Sequence, residues 1–71
     1  PVKPGDIVKC KVINRHDHHP GAGIARIDGF IIEVNHGAEW IGDEVWVHID
    51  GVKRNYGQAS LIEWKRKNEV N

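Results

Sequence analysis

Two short runs rich in β-branched residues, Gly23-Ile24-Ala25-Arg26-Ile27 and Phe30-Ile31-Ile32-Glu33-Val34, meet at Asp28-Gly29. An Asp-Gly pair takes the positive backbone φ angles of a tight two-residue turn at little cost, so the stretch predicts a β-hairpin. With that turn, Ile27 faces Phe30, Ala25 faces Ile32 and Gly23 faces Val34, because residues opposite each other across a hairpin share a face. The other face carries Ile24, Arg26, Ile31 and Glu33. One apolar side and one mixed side is the pattern of a wall of a small barrel.

The rest of the chain supplies the other walls. Pro4-Gly5-Asp6 is a turn signal ahead of an alternating stretch, Ile7 to Ile13, with Val8, Cys10 and Val12 on one face and Lys9 and Lys11 on the other. Asn14 to Gly23 is rich in His, Pro and Gly and reads as a loop. A second loop follows from Asn35 to Gly42, in which Trp40 gains most by folding back over one end of the core. From Asp43 to Asp50, Val45, Val47 and Ile49 point one way and Glu44, Trp46 and His48 the other. Gly51 then marks a bend or bulge. A fifth strand is expected between Val52 and Trp64, with Gly57, Ala59 and Leu61 inward, Arg54, Tyr56, Gln58 and Ser60 outward, and a break near Asn55-Tyr56-Gly57. Residues 65–71 lack an apolar period and read as a basic, frayed tail, which leaves residues 1–64 as the domain. No helix of ordinary length is supported. Five short strands separated by turn residues predict an all-β fold, a small antiparallel β-barrel.

Seventy-one residues lie near the lower limit for a core without staples, and the single cysteine excludes an internal disulfide. No run approaches the roughly 20 apolar residues of a membrane span, and nothing resembles a signal peptide, so a cytoplasmic protein without a membrane partner is expected. Ten Lys+Arg balance ten Asp+Glu. Any affinity for nucleic acid must therefore come from where the charges sit.

His16-Asp17-His18-His19 is a tempting metal cluster, yet it has no second ligand group at a spacing typical of zinc, and Cys10 falls on the core face. No metal and no cofactor is expected; a solvated loop that changes charge near the pKa of histidine is the simpler reading. The same period that buries Cys10 between Val8 and Val12 removes it as a nucleophile. No paired-carboxylate, phosphate-loop or Ser-His-Asp arrangement stands out, so the chain is not read as an enzyme. What remains is basic residues interleaved with aromatics on outward strand faces: Lys9 and Lys11, Arg26 with Phe30, Trp46, then Lys53, Arg54 and Tyr56. Small barrels bind single-stranded nucleic acid in this way, with bases stacked on rings and cations along the phosphates. The competing reading makes Phe30 and Trp46 core or edge-covering residues and the cations a solvated face.

Four blocks, Pro4-Gly5-Asp6, Gly23-Ile24-Ala25-Arg26-Ile27-Asp28-Gly29-Phe30, Gly42-Asp43-Glu44-Val45 and Val52-Lys53-Arg54-Asn55-Tyr56-Gly57-Gln58-Ala59, occur in this order and spacing. Together they resemble the TRAM domain over about residues 2 to 63. The resemblance implies a five-stranded OB-like antiparallel β-barrel that binds RNA, either tRNA or unstructured RNA, with low sequence specificity. It implies either of two settings. One is a domain within a larger tRNA-modifying enzyme; the other is a small free-standing archaeal protein similar to an RNA chaperone of the cold-shock type. Carried over by position, it points to Arg26, Phe30, Arg54 and Tyr56 as RNA-binding residues. Lys53 and Lys11 are added from the face analysis. Family members often carry a second aromatic shortly after the hairpin phenylalanine; Ile32 and Glu33 stand there in this chain, which implies weaker or altered RNA preference. The His16-His19 loop likewise replaces a Gly-rich polar segment. A monomer is expected. The alternative is a protein-interaction barrel docking on an RNA-processing partner through Trp40, Trp46 and Trp64.

Overall fold

The structure, a computed structural model, describes residues 2–62. Asp28 and Gly29 take φ values of 52° and 82°, the paired positive angles of a tight hairpin turn. The turn fixes the register of β2 (Gly23–Ile27) on β3 (Phe30–Asn35): Ile27 opposes Phe30, Ala25 opposes Ile32 and Gly23 opposes Val34, as the sequence predicts. Around this hairpin lie β1 (Ile7–Arg15), β4 (Glu44–Val52) and β5 (Tyr56–Leu61), and a single 3-10 turn, Gly37–Trp40, joins β3 to β4.

The strands close in the order β1-β2-β3-β5-β4, with β4 returning to β1. Closure leaves no open sheet edge, which matters in a chain this small because an edge is a template for aggregation. Pairing is antiparallel everywhere except between β3 and β5, which run parallel from Ile31–Tyr56 to Asn35–Ser60. The fold is thus the expected small OB-like barrel, and its all-antiparallel description is corrected at that one seam. β4 crosses the barrel between β3 and β5, so β5 re-enters beside β3 in the same direction.

The alternation read from the sequence becomes the core. Val12, Ala25, Ile32, Val34, Val45, Val47, Ile49 and Ala59 are fully buried, and Cys10 is nearly so. Val8, Ile27, Phe30, Trp40 and Leu61 pack around them at the two ends. Each large aliphatic side chain withdrawn from water contributes about 1.5–3 kcal/mol, the main term holding so small a domain together. Burial also pushes the Cys10 thiol above its ordinary range, because a thiolate would lose its hydration there. Trp40 folds back on the core from the 3-10 turn, as expected of an apolar ring in a loop.

Two bulges shape the walls. In β1 the register slips between Val12 and Asn14, and the extra residue, Ile13, is left 43% exposed. In β4 the slip falls between Ile49 and Gly51, where the sequence places it, and the extra residue is Asp50. Turned outward, the Asp50 carboxylate accepts hydrogen bonds from Ser60 Oγ and from His48 Nδ1 at 2.8 Å. These bonds, Ser60 first, hold its carboxyl below the ordinary value of 3.8. A carboxyl lowered by folding adds stability above the unfolded pKa and loses it as pH falls through the folded value. Asp50→Asn should therefore lower the urea midpoint at pH 7, by less than about 1 kcal/mol because the site is open to solvent. It should leave the midpoint unchanged once the pH is below the folded value. Equal losses at both pH values would exclude this account of Asp50.

The residues read as a frayed tail, 65–71, lie outside the described residues, as does Trp64. No helix among the described residues is long and apolar enough to cross a membrane.

Candidate nucleic-acid interface

Because β-strand side chains alternate, the register that buries Ala25, Ile32, Gly57 and Ala59 turns their neighbours outward. Arg26 on β2 opposes Ile31 on β3, and Ile31 in turn pairs with Tyr56 on β5. The antiparallel register of Val12 with Ala25 carries Lys11, one residue before, to the flank of Arg26, one residue after. The result is one lateral row, Lys11, Arg26, Ile31, Tyr56, running across strands β1, β2, β3 and β5. A second row beside it holds Ile24, Glu33 and Gln58. Sequence reasoning named Lys11, Arg26 and Tyr56 but could not see that Ile31 joins them, since the parallel seam is non-local.

Two loops border this face. The short β4–β5 loop presents Lys53 and Arg54, both exposed, and is pinned by the Lys53 N–H donating to Tyr56 O at 2.7 Å. The pin keeps both cations beside the Tyr56 end of the row. Lys11, Arg26, Lys53 and Arg54 form no ion pair among the described residues, whereas Lys9 Nζ sits 3.6 Å from Glu44. Four unpaired cations thus share this side, although the chain as a whole carries no net charge. Such a row can meet a polyanion with its cations and a base with its tyrosine ring.

At the opposite end the β1–β2 loop, residues 16–22, leans over β3. His18 N–H donates to His16 Nδ1 at 3.0 Å, so Nδ1 is the acceptor nitrogen and Nε2 carries the hydrogen that Glu33 Oε2 receives at 3.0 Å. The rings of His16 and His19 lie with centroids 4.6 Å apart. Among the described residues no group of three or more His, Cys, Asp or Glu side chains is placed to hold a metal ion. The His16–Glu33 pairing spans seventeen residues and has no signal in the sequence.

Phe30 is set apart from the row. It shares the inward side of the hairpin with Ile27, half-buried against the core, and not the outward side of Arg26 where the interleaved pattern put it. A Cβ at Gly57 would meet its ring at 3.5 Å and Ile32 Cδ1 at 3.0 Å, so the ring closes the barrel end beneath β5. Trp46 lies on the far wall, 37% exposed and opposite Lys9.

A face on β2 and β3 flanked by the β1–β2 and β4–β5 loops is where OB-type barrels bind oligonucleotides. The profile of the TRAM domain family matches residues 13–62, well over half of the chain. The chain belongs to the TRAM domain family. TRAM domains are in general RNA-binding modules, small nucleic-acid-binding domains. The matched segment of this TRAM barrel includes β2, β3, β4, β5 and both bordering loops, hence all of the row except Lys11. No curated protein is similar enough to the chain to count as a relative.

Proposed function

We propose that this TRAM barrel binds single-stranded or locally unpaired RNA, of tRNA or of another unstructured RNA, through the row Lys11, Arg26, Ile31 and Tyr56. The observation that carries the reading is that row, with its unpaired cations and one ring, lying on the β2–β3 face between the two loops. Arg26, Lys11, Lys53 and Arg54 bind phosphates, and Tyr56 stacks on a base with the Ile31 side chain beside it. Phe30, half-exposed at the barrel end, takes a base only where the strand turns past the hairpin. The row offers charge and stacking surface and no base-edge reader, so its own sequence preference is low.

An amide-resolved NMR titration with a short oligouridylate, run at low and at physiological salt, tests this. Shifts should concentrate at residues 11, 26, 31, 53, 54 and 56. With about three or four phosphates neutralised, log affinity should fall against log salt with a slope of roughly −2 to −3. Amides of the row that stay still while the protein remains folded would overturn the reading, and shifts confined to β4 around Trp46 would move the site to the opposite wall.

A further inference from the structure

Beside the row, His19, Glu33, Asn35, His36 and Gln58 surround a hollow of about 420 Å³, walled on its far side by Pro20-Gly21-Ala22. Its floor is the outward face of β3 and β5, where Glu33 pairs with Gln58, two residues along each strand from Ile31 and Tyr56. Two strand residues span about 7 Å, so a nucleotide next to one stacked on Tyr56 reaches the hollow.

One polar group there is unusual for an RNA-facing surface. Glu33 is a carboxylate, which only accepts hydrogen bonds and which a phosphate avoids. His16 holds Oε2 through its Nε2–H, while Oε1 makes no hydrogen bond among the described residues. The carboxylate is therefore oriented by the β1–β2 loop and keeps accepting capacity toward the hollow it lines. Among the four bases, guanine alone presents two adjacent donors, N1–H and N2–H, on its Watson–Crick edge. Uracil offers one donor between two carbonyl oxygens, which a carboxylate repels; adenine and cytosine pair a donor with an acceptor. The amides of Asn35 and Gln58, able both to donate and to accept, suit the guanine O6 and N7 positions.

We infer that this hollow is a guanine-recognition pocket, in which Glu33, positioned by His16, receives the N1–H and N2–H donors of one unpaired guanine. The inference rests on the RNA reading above and adds to a row of low selectivity a single selective position. A bidentate pair of this type discriminates by roughly 5- to 150-fold against the wrong base.

The experiment measures fluorescence anisotropy of the full chain with labelled five-nucleotide oligouridylates carrying uridine, guanosine, inosine, adenosine or cytidine at the centre. The guanosine oligomer should bind about tenfold or more tighter than the uridine, adenosine and cytidine ones, with inosine, which lacks the N2 amino group, in between. In Glu33→Gln, and independently in the exposed-site variant Gln58→Ala, the guanosine-to-uridine ratio should fall toward one. Thermal melts of both variants establish that they are folded. Equal affinity for all five oligomers, with the salt dependence intact, overturns the pocket and leaves the RNA reading standing. A guanosine preference unchanged in folded Glu33→Gln also overturns it. If none of the oligomers binds at low salt, the RNA reading itself fails and the pocket with it.

Discussion

Replacing Arg26 and Arg54 together by alanine should lower affinity for a short unstructured RNA by about ten- to a hundredfold at physiological salt. The two side chains come from different parts of the barrel, a strand and a loop, yet the register of β3 on β5 and the Lys53–Tyr56 hydrogen bond bring them to the same row, Arg26 within it and Arg54 beside its Tyr56 end. Removing two phosphate contacts should flatten the salt slope by about 1.4, since each contributes about 0.7 on a single strand. A loss of affinity with the slope unchanged would mean that the arginines act by stacking or by shaping the loop. Neither residue contacts the core, so the melting temperature should hold. The same double variant separates RNA binding from an adaptor role, because a protein contact anchored on Trp46 lies on another wall and would be untouched. Full RNA affinity in the double variant would remove the row from consideration.

Gly23→Ala should cost the domain about 2–3 kcal/mol, which for a barrel of this size is a drop of roughly 10–20 °C in melting temperature. Gly23 opens β2 at the point where the barrel wall meets the 3-10 turn. A Cβ there would lie 2.6 Å from Val12 Cγ1 and 3.0 Å from the Gly37 backbone. Val12 is fully buried and cannot swing away, and on its other side Gly37 is seated on Val34, whose Cγ1 would lie 2.9 Å from a Cβ at Gly37. The methyl group therefore has to separate β2 from the turn that caps this end of the core. Gly21→Ala is the matched control, since nothing lies within 4 Å of a Cβ there. Melting curves that place both variants at the native temperature would show that the wall yields without cost.

Local chemistry made much of this barrel readable in advance. Asp28-Gly29 dictates the hairpin and through it the faces of ten neighbouring residues, and the alternation of Val8-Cys10-Val12 and Val45-Val47-Ile49 identifies the inner sides of β1 and β4. Gly51 announces its bulge because a residue without a side chain in an alternating run has few other uses. What escaped is non-local. Nothing in Phe30–Asn35 or Tyr56–Leu61 states that these segments run parallel, and the row linking Arg26 to Tyr56 depends on that seam. The extra residue in β1 escaped for a related reason: Ile13 continues an apolar run, and only the pairing with β2, in which Val12 opposes Ala25 and Asn14 opposes Ile24, exposes it. Among site residues, Phe30 shows the limit of reading by residue type. Its ring suits stacking as well as it suits the core, and the pleat decides in favour of the inward side.

The parallel seam between β3 and β5 also determines when the interface exists at all. The hairpin of β2 and β3 is a local structure, able to form early from its own turn, but it carries only Arg26 and Ile31 of the row. Tyr56 and the loop cations arrive with β5, after the chain has travelled through β4 and back, so the proposed binding face is completed only by pairs 25 residues apart, such as Ile31 with Tyr56. A partly opened barrel, one in which β5 has detached, would keep much of its hairpin and yet present no continuous surface to a nucleic acid. Ligand binding is thereby tied to the global closing of the domain and not to any one element. On the proposed reading, RNA bound across the seam would act as a clasp, raising the melting temperature with the logarithm of free RNA above its Kd and protecting the amides of β5 from exchange.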